Sequence, residues 1–433
     1  MIRSKQKFDR FICGLMVFMF AILMKSAFIS AYVSRDKHAS QKIIPHFSNV
    51  SIQAKVAHTG KSVNAIWLDD NDDGWLDLFL CNGYNQPNVL YRNLKNGAFE
   101  DITAQVGLVD LRWSHSAHWL DFDNDGLFEL CVENKLGNQI FKKTERDSFI
   151  NFTRNYHFLT TPGMAWADFN NDGLIDVYVY RADENAARAG SPPNWLFKNL
   201  GHGQFKEMAA AAGVAGESDT NGANWIDVNN DGWLDLYVIN GNHQPNHFYL
   251  NNGNETFSDI APQTGIVEHD GSAWWADFNH DGWIDVMVAD ELSARLYKNN
   301  GDGTFTDITA TSGIIFPTNA ALQANWIDFD NDGQLDLFFF SSLDLYNLRP
   351  KLYRNMGDET FADLTADVGL DLIISAYQSI WGDYDNDGDP DLYLPSKGPN
   401  ILFRNDGGQH HWVKVRLRPL VTNRSALGTS VTV

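Results

Sequence analysis

Seven times along this chain an acidic nonapeptide recurs with side-chain oxygens at positions 1, 3, 5 and 9 and glycine at position 6. One copy places Asp328, Asp330, Asp332 and Asp336 around Gly333. The others are Asp69, Asn71, Asp73 and Asp77; Asp121, Asp123, Asp125 and Glu129; Asp168, Asn170, Asp172 and Asp176; Asp227, Asn229, Asp231 and Asp235; Asp277, Asn279, Asp281 and Asp285; and Asp383, Asp385, Asp387 and Asp391. Oxygen donors at this spacing on one tight turn suit a hard cation such as Ca²⁺, with position 7 contributing only its backbone carbonyl, so that its side chain is free to vary. The glycine permits the sharp turn. Calcium is therefore the expected cofactor and these residues its expected ligands. The second copy departs by carrying Glu129 at position 9.

An EF-hand needs a bidentate Glu at position 12 and flanking helices. Position 12 is instead Leu80, Val132, Val179, Val238, Val288, Phe339 and Leu394, each within an apolar, strand-like run. An Asx-rich turn without metal accounts for one loop; it does not account for the same register seven times. With each loop supplying most of the ion's ligands itself, a structural metal is expected rather than a catalytic one.

The elements that must position these loops repeat with them. Successive first aspartates are 52, 47, 59, 50, 51 and 55 residues apart, a period that points to a propeller or an array. Each repeat has a short strand with Trp two residues before the loop (Trp67, Trp119, Trp166, Trp225, Trp275, Trp326 and Trp381) and an alternating strand after it. A third strand such as 295–299, a Gly-containing turn such as 300–303 and a fourth strand such as 304–308 follow. Four strands per repeat make a propeller blade. The seventh repeat lacks its fourth strand, whereas His46 to Val50, ahead of the first loop, has the pattern of one. The expected fold is all-β, a seven-bladed β-propeller over residues 46–405 closed by that N-terminal strand, which removes exposed sheet edges. Trp side chains recurring in every blade are expected in the inter-blade core.

Residues 1–31 read as a signal peptide or N-terminal anchor: Arg3, Lys5, Lys7 and Arg10 precede the uncharged run Phe11 to Met24, with Ile29-Ser30-Ala31 as a cleavage site. The remainder is then extracytoplasmic, as a secreted, periplasmic or cell-surface protein, where calcium is abundant. The only membrane contact expected is through that anchor. The net charge of -22, with 27 of the 55 acidic residues inside the seven loops, excludes nucleic acid, whose phosphates need clustered Lys and Arg. Cys81 and Cys131 read either as a pair or as two separate buried thiols.

The acidic loops and the third-to-fourth strand turns are expected on one face of the disc. The other carries Asn82 to Pro87, the similar Asn240 to Pro245, and longer insertions at Arg181 to Pro193 and Ser341 to Pro350, which form the candidate ligand face. His115, His118 and His157 are without an acidic partner at a diagnostic spacing, and no nucleophile elbow or cofactor fingerprint occurs. The expected function is a binding or adhesion module for a protein or glycan; the alternative is a lyase or hydrolase acting on polysaccharide.

These loops, with their preceding Trp, resemble FG-GAP or VCBS repeats, the calcium-loop blades also found in integrin alpha subunits. The tail, 409–433, is similar to the opening of an ASPIC/UnbV domain through His411-Trp412-Val413-Lys414-Val415-Arg416-Leu417 and Asn423-Arg424-Ser425-Ala426-Leu427-Gly428, an incomplete module in this chain. The combination resembles the cartilage acidic protein family and its bacterial relatives. The resemblance implies an extracytoplasmic, calcium-binding interaction protein and implies no substrate.

Overall fold

A computed structural model describes residues 27–33, 44–407 and 413–419, apart from internal segments at 84–85, 136, 157–162, 181–192, 217–218, 242, 268–270, 291–292, 319–321, 342–348 and 374. Seven four-stranded antiparallel sheets follow one another along the chain, six of them built from consecutive strands. Blade 5 shows the plan, with strands Ser272–Ala276, Asp285–Ala289, Ala294–Asn299 and Phe305–Asp307. We number the blades in chain order over 62–101, 114–151, 164–207, 220–259, 272–307, 322–363 and 380–405.

Blade 7 is completed from the other end of the chain. Phe47–Asn49 pairs with its third strand, Phe47 opposite Asn405 and Asn49 opposite Phe403, so the expected closing strand is present. Phe47 is buried and meets Trp381 edge-on at 5.8 Å between ring centroids. Phe47→Leu is expected to destabilise the fold by about 1–2 kcal/mol, because the aromatic contact goes and a cavity opens at the closing joint. Denaturant unfolding measures this, and a loss below about 0.5 kcal/mol would show that the strand does not hold the ring.

The apolar core is divided in the same way. Seven clusters of buried side chains each lie between two neighbouring blades, for example Leu78, Leu80 and Phe99 of blade 1 with Tyr393 and Leu402 of blade 7. The second strands are buried on both faces, as in Asp336–Ser341, because each sheet packs against a neighbour on either side. Short helical turns, Thr103–Val106, Ala209–Ala212 and Ala261–Thr264, link some blades. Gly107 and Gly265 end two of them at φ 82° and 84°, where a Cβ would lie 3.2 Å from the carbonyl oxygens of Phe149 and Phe305 in the next blade. These turns carry no helical periodicity in the sequence and were not expected.

The strand Ala27–Val33, which takes in the last five residues of the expected leader, pairs antiparallel with Val413–Pro419, Ala27 opposite Pro419. Residues 1–26 and 420–433 lie outside the described residues.

Candidate metal centres

Twenty-one of the twenty-eight expected ligands lie in loops joining the first and second strands of their blades, and the seven at position 9 begin the second strands. The carboxylate at position 1 accepts two backbone N–H groups across the turn: Asp328 Oδ1 from Asp332 and Oδ2 from Gly333, each at 2.9 Å. Position 4 is left-handed in every copy, with φ 55–59° at Asp72, Asn124, Asn171, Asn230, His280, Asn331 and Asn386. That conformation suits Asn best among side-chain-bearing residues. The side-chain amide of Asn171 then donates to the Gly232 carbonyl of the next blade at 2.8 Å, and that of Asn230 to Gly282 at 2.6 Å.

Position 9 joins the loop to the third strand. Asp336 is fully buried; its Oδ1 accepts the Asn355 N–H at 2.8 Å and its Oδ2 the Phe329 N–H at 3.2 Å. Asn355 in turn donates to the carbonyls of Leu335 in its own loop, at 3.1 Å, and of Phe278 in the previous blade, at 2.7 Å. The same clamp recurs at Asn93, Asn199, Asn251, Asn299 and Asn405. Burial pushes the position-9 acids up, to about 7 at Asp235 and Asp285, about 8 at Glu129, Asp176 and Asp336, and about 9 at Asp391.

These residues fit a calcium ion. The donors are all oxygen, and Asp176 Oδ2 and Asp285 Oδ2, on fully buried residues, complete no hydrogen bond. Position 3 divides the copies. Where it is Asn, as at Asn71, Asn170, Asn229 and Asn279, its amide donates to the position-5 carboxylate at 2.9–3.0 Å. Where it is Asp, carboxylates converge to within 4.8 Å of one another: Asp121, Asp123 and Glu129; Asp328, Asp330 and Asp332; Asp383, Asp385 and Asp391.

Basic side chains on the third strand bear on these loops, and the loop spacing gave no sign of them. Lys142 Nζ contacts Asp123, lies 2.7 Å from Asp125 and 3.3 Å from Glu129. Arg354 lies 2.7 Å from Asp330 and 2.5 Å from Asp332. The available signal was a basic residue recurring at the same place in the third strand: Arg92, Lys142, Lys198, Lys298, Arg354 and Arg404, with Leu250 the exception.

The tryptophans are inter-blade core, as expected. Trp67, Trp166, Trp225 and Trp326 stack on the position-2 aromatic of the previous blade (Tyr384, Phe122, Phe169 and Phe278) with ring planes within 20°. Trp166, Trp225 and Trp326 also line an axial cavity of about 1240 Å³. Its wall also includes the residue just before the Trp in five blades, His118, Ala165, Asn224, Trp274 and Asn325. His118 Nε2 is 3.0 Å from Glu133 Oε1, which also accepts the Met164 N–H at 2.8 Å, so this histidine does have an acidic partner, fifteen residues along. Cys81 and Cys131 are separate buried thiols, and burial pushes both well up.

On the opposite face, Asn82 and Asn240 donate to the carbonyls of Pro87 and Pro245, each at 2.6 Å, so the two similar loops close on themselves as framework. Tyr84, Asn85, Asn242, 181–192, 342–348 and His157 lie outside the described residues.

A lectin of Agrocybe aegerita, whose structure concerns specific recognition of non-reducing terminal N-acetylglucosamine, is similar at 17% identity and TM-score 0.49, over 84% of this chain and 96% of that one. The Photorhabdus luminescens Tc holotoxin pore is similar at 12% identity and TM-score 0.36, over 68% of this chain and 14% of that one. No curated protein matches the chain. The FG-GAP-like repeat matches residues 69–132, 168–238, 227–288 and 277–339, more than half of the sequence. With those matches falling on the acidic loops and the strands that follow them, the chain belongs to the FG-GAP-like repeat family.

Proposed function

We propose that the protein is an exported β-propeller, held together by calcium, that binds a protein or glycan ligand as a recognition or adhesion module. Export rests on the basic and apolar pattern of residues 3–24, and the ASPIC/UnbV and cartilage acidic protein resemblance of the whole chain is consistent with it. Calcium rests on the oxygen-lined loops, where Asp69, Asp168, Asp227, Asp277 and Asp383, with the acids at positions 5 and 9, would hold the ion.

The observation that carries the binding reading is the wall of the axial cavity. The scaffold repeats from blade to blade, but the residue before each Trp does not: histidine, alanine, asparagine, tryptophan and asparagine follow one another there. Asn224 Oδ1 is shielded from solvent and has no hydrogen-bond partner, and Trp274 adds an aromatic beside it. Aromatic and amide side chains in one concave site suit a sugar or a polar peptide segment. A second reading, a polysaccharide-acting enzyme, draws on the His118–Glu133 contact at the same wall, a geometry suited to proton transfer.

Glycan and protein arrays probed with the full chain, in calcium and again in chelator, test this. Capture that falls at least tenfold in Trp274→Ala and Asn224→Ala, with melting temperatures unchanged, is the expected result. Capture indifferent to both substitutions would overturn the cavity as the site, and substrate turnover lost in His118→Ala would favour the enzyme.

A further inference from the structure

The basic residue on the third strand has two possible destinations, and the turn of the following blade selects between them. Arg92 of blade 1 reaches Asp147 in the third-to-fourth strand turn of blade 2, at 2.8 Å. Lys198 of blade 3 reaches Glu255 in the turn of blade 4, and Lys298 of blade 5 reaches Glu359 in the turn of blade 6. Asp147, Glu255 and Glu359 occupy the same left-handed place in their turns, with φ 56°, 66° and 64°. Held from outside, Lys198 and Lys298 come no nearer than 3.5 Å to Asp172 and 3.6 Å to Asp281 of their own loops.

The turns of blades 1, 3 and 5 have glycine at that place, Gly97, Gly203 and Gly303, with φ 79°, 71° and 85°. Blade 7 has no such turn, because its fourth strand comes from the N-terminus. The four third-strand positions facing these ends, in blades 2, 4, 6 and 7, respond differently from those above. Blade 4 has Leu250, with no charge to place. In blades 2 and 6, Lys142 and Arg354 turn inward among their own carboxylates, where they are only 13% and 11% exposed. A cavity of about 400 Å³ lined by Asp123, Asp125 and Gly203 lies at this end of the blade 2 loop, and a Cβ at Gly203 would meet the Tyr156 hydroxyl at 2.6 Å. Both loops have Asp at position 3 where four others have Asn, so an additional negative charge accompanies each inserted cation. Blade 7 also has Asp385 at position 3, but Arg404 bonds to Asp406, at 2.6 Å from Nη2, instead of entering the loop.

We infer that Lys142 and Arg354 are resident counter-cations, standing in the loops of blades 2 and 6 where the other five loops take calcium, so that the protein binds five ions instead of seven. An ammonium among three carboxylates, or a guanidinium between two, offsets part of the cluster's negative charge and stands where the ion would. The loop turns are then set in two blades by covalently attached charge and in five by a diffusible one. The inference rests on the calcium reading above.

Equilibrium dialysis of the full chain against labelled calcium counts the ions. The expected result is five for the wild type, six for Lys142→Met and for Arg354→Met, and seven for the double variant. Glu255→Gln works in the opposite sense and changes a half-exposed side chain, with the melting temperature measured alongside. It frees Lys198 to enter the blade 3 loop, and the count falls to four. Seven ions in the wild type, unchanged by the substitutions, would overturn the inference while leaving the calcium reading intact. No bound calcium in any variant would overturn the calcium reading itself.

Discussion

Removing calcium is expected to lower the melting temperature of this protein by on the order of 10 °C near neutral pH. An ion present at about ten times its dissociation constant stabilises the folded state by about 1.4 kcal/mol per site, so five sites give about 7 kcal/mol. Spread over the unfolding entropy of a propeller this size, that is on the order of 10 °C. The effect depends on pH with a definite sign. Burial raises the position-9 acids to between about 7 and about 9 in the metal-free fold, whereas in the unfolded chain such groups titrate near about 4. Metal-free folded protein therefore holds more protons than unfolded protein across that window, and its stability falls as pH rises through it. Acids whose values are lowered, such as Asp147 beside Arg92 and Asp406 beside Ser48 and Arg404, contribute the opposite slope below about pH 4. Scanning calorimetry with calcium and with chelator should show the gap between the two curves widening from about pH 5 to about pH 8. Superimposable melts at every pH would refute the metal assignment.

The second large effect is expected at the joint between blades 1 and 2. Position 2 of the loop is an apolar residue in six blades (Phe122, Phe169, Val228, Phe278, Phe329 and Tyr384) but Asp70 in blade 1. The clamp asparagine is likewise replaced in blade 2, by Lys143. The two substitutions face each other: Lys143 Nζ lies 3.3 Å and Arg92 Nη2 2.6 Å from Asp70 Oδ2, whose side chain is fully buried. Burial alone would raise the Asp70 carboxyl, but the Asp77 hydrogen bond and these two cations hold it below its ordinary value. Without an aromatic at position 70 to stack on, Trp119 stacks on Phe128 of its own loop, with centroids 5.3 Å apart. Asp70→Phe should destabilise the protein by about 3–5 kcal/mol, since it leaves Lys143 and Arg92 short of their buried partner. Adding Lys143→Asn restores the clamp used elsewhere and should recover most of that loss, because replacing both members of a buried pair is often neutral. A double-mutant cycle by denaturant unfolding decides it, and additive losses would mean that the two sites are not coupled.

Much of this architecture was legible in the sequence because a propeller repeats. The loop register, the Trp two residues ahead of it, the alternation of strands such as Asp235–Asn240 and the orphan fourth strand at 47–49 all signal themselves through recurrence. What recurrence hides is anything that depends on how blades differ. The inward turn of Lys142 accompanies a glycine about sixty residues downstream, in another blade, and no local pattern couples the two. The Asp70–Lys143 exchange looks like two unrelated departures until the blades are superimposed. The cavity wall at Asn224 and Trp274 is set by ring closure, which brings side chains from five blades to one axis. Within the loops first expected to bear the ligand, Asn82 and Asn240 brace the turn through short bonds to the following proline carbonyls, which the sequence did not signal.

The left-handed asparagines of the acidic loops carry a further consequence. Each passes a hydrogen bond to the glycine carbonyl of the loop ahead: Asn124 to Gly173, Asn171 to Gly232 and Asn230 to Gly282, then Asn331 to Gly388 and Asn386 to Gly74. At the equivalent positions blade 1 has the carboxylate of Asp72, which has no amide N–H to pass on, and blade 5 the imidazole of His280. The amide relay thereby runs as two stretches of dominoes, blades 2 to 5 and blades 6, 7 and 1. Ordering one loop presets its neighbour within a stretch, so ions should load more cooperatively within each stretch than between the two, where the Asn355 clamp and the Lys143–Asp70 pair connect the loops instead.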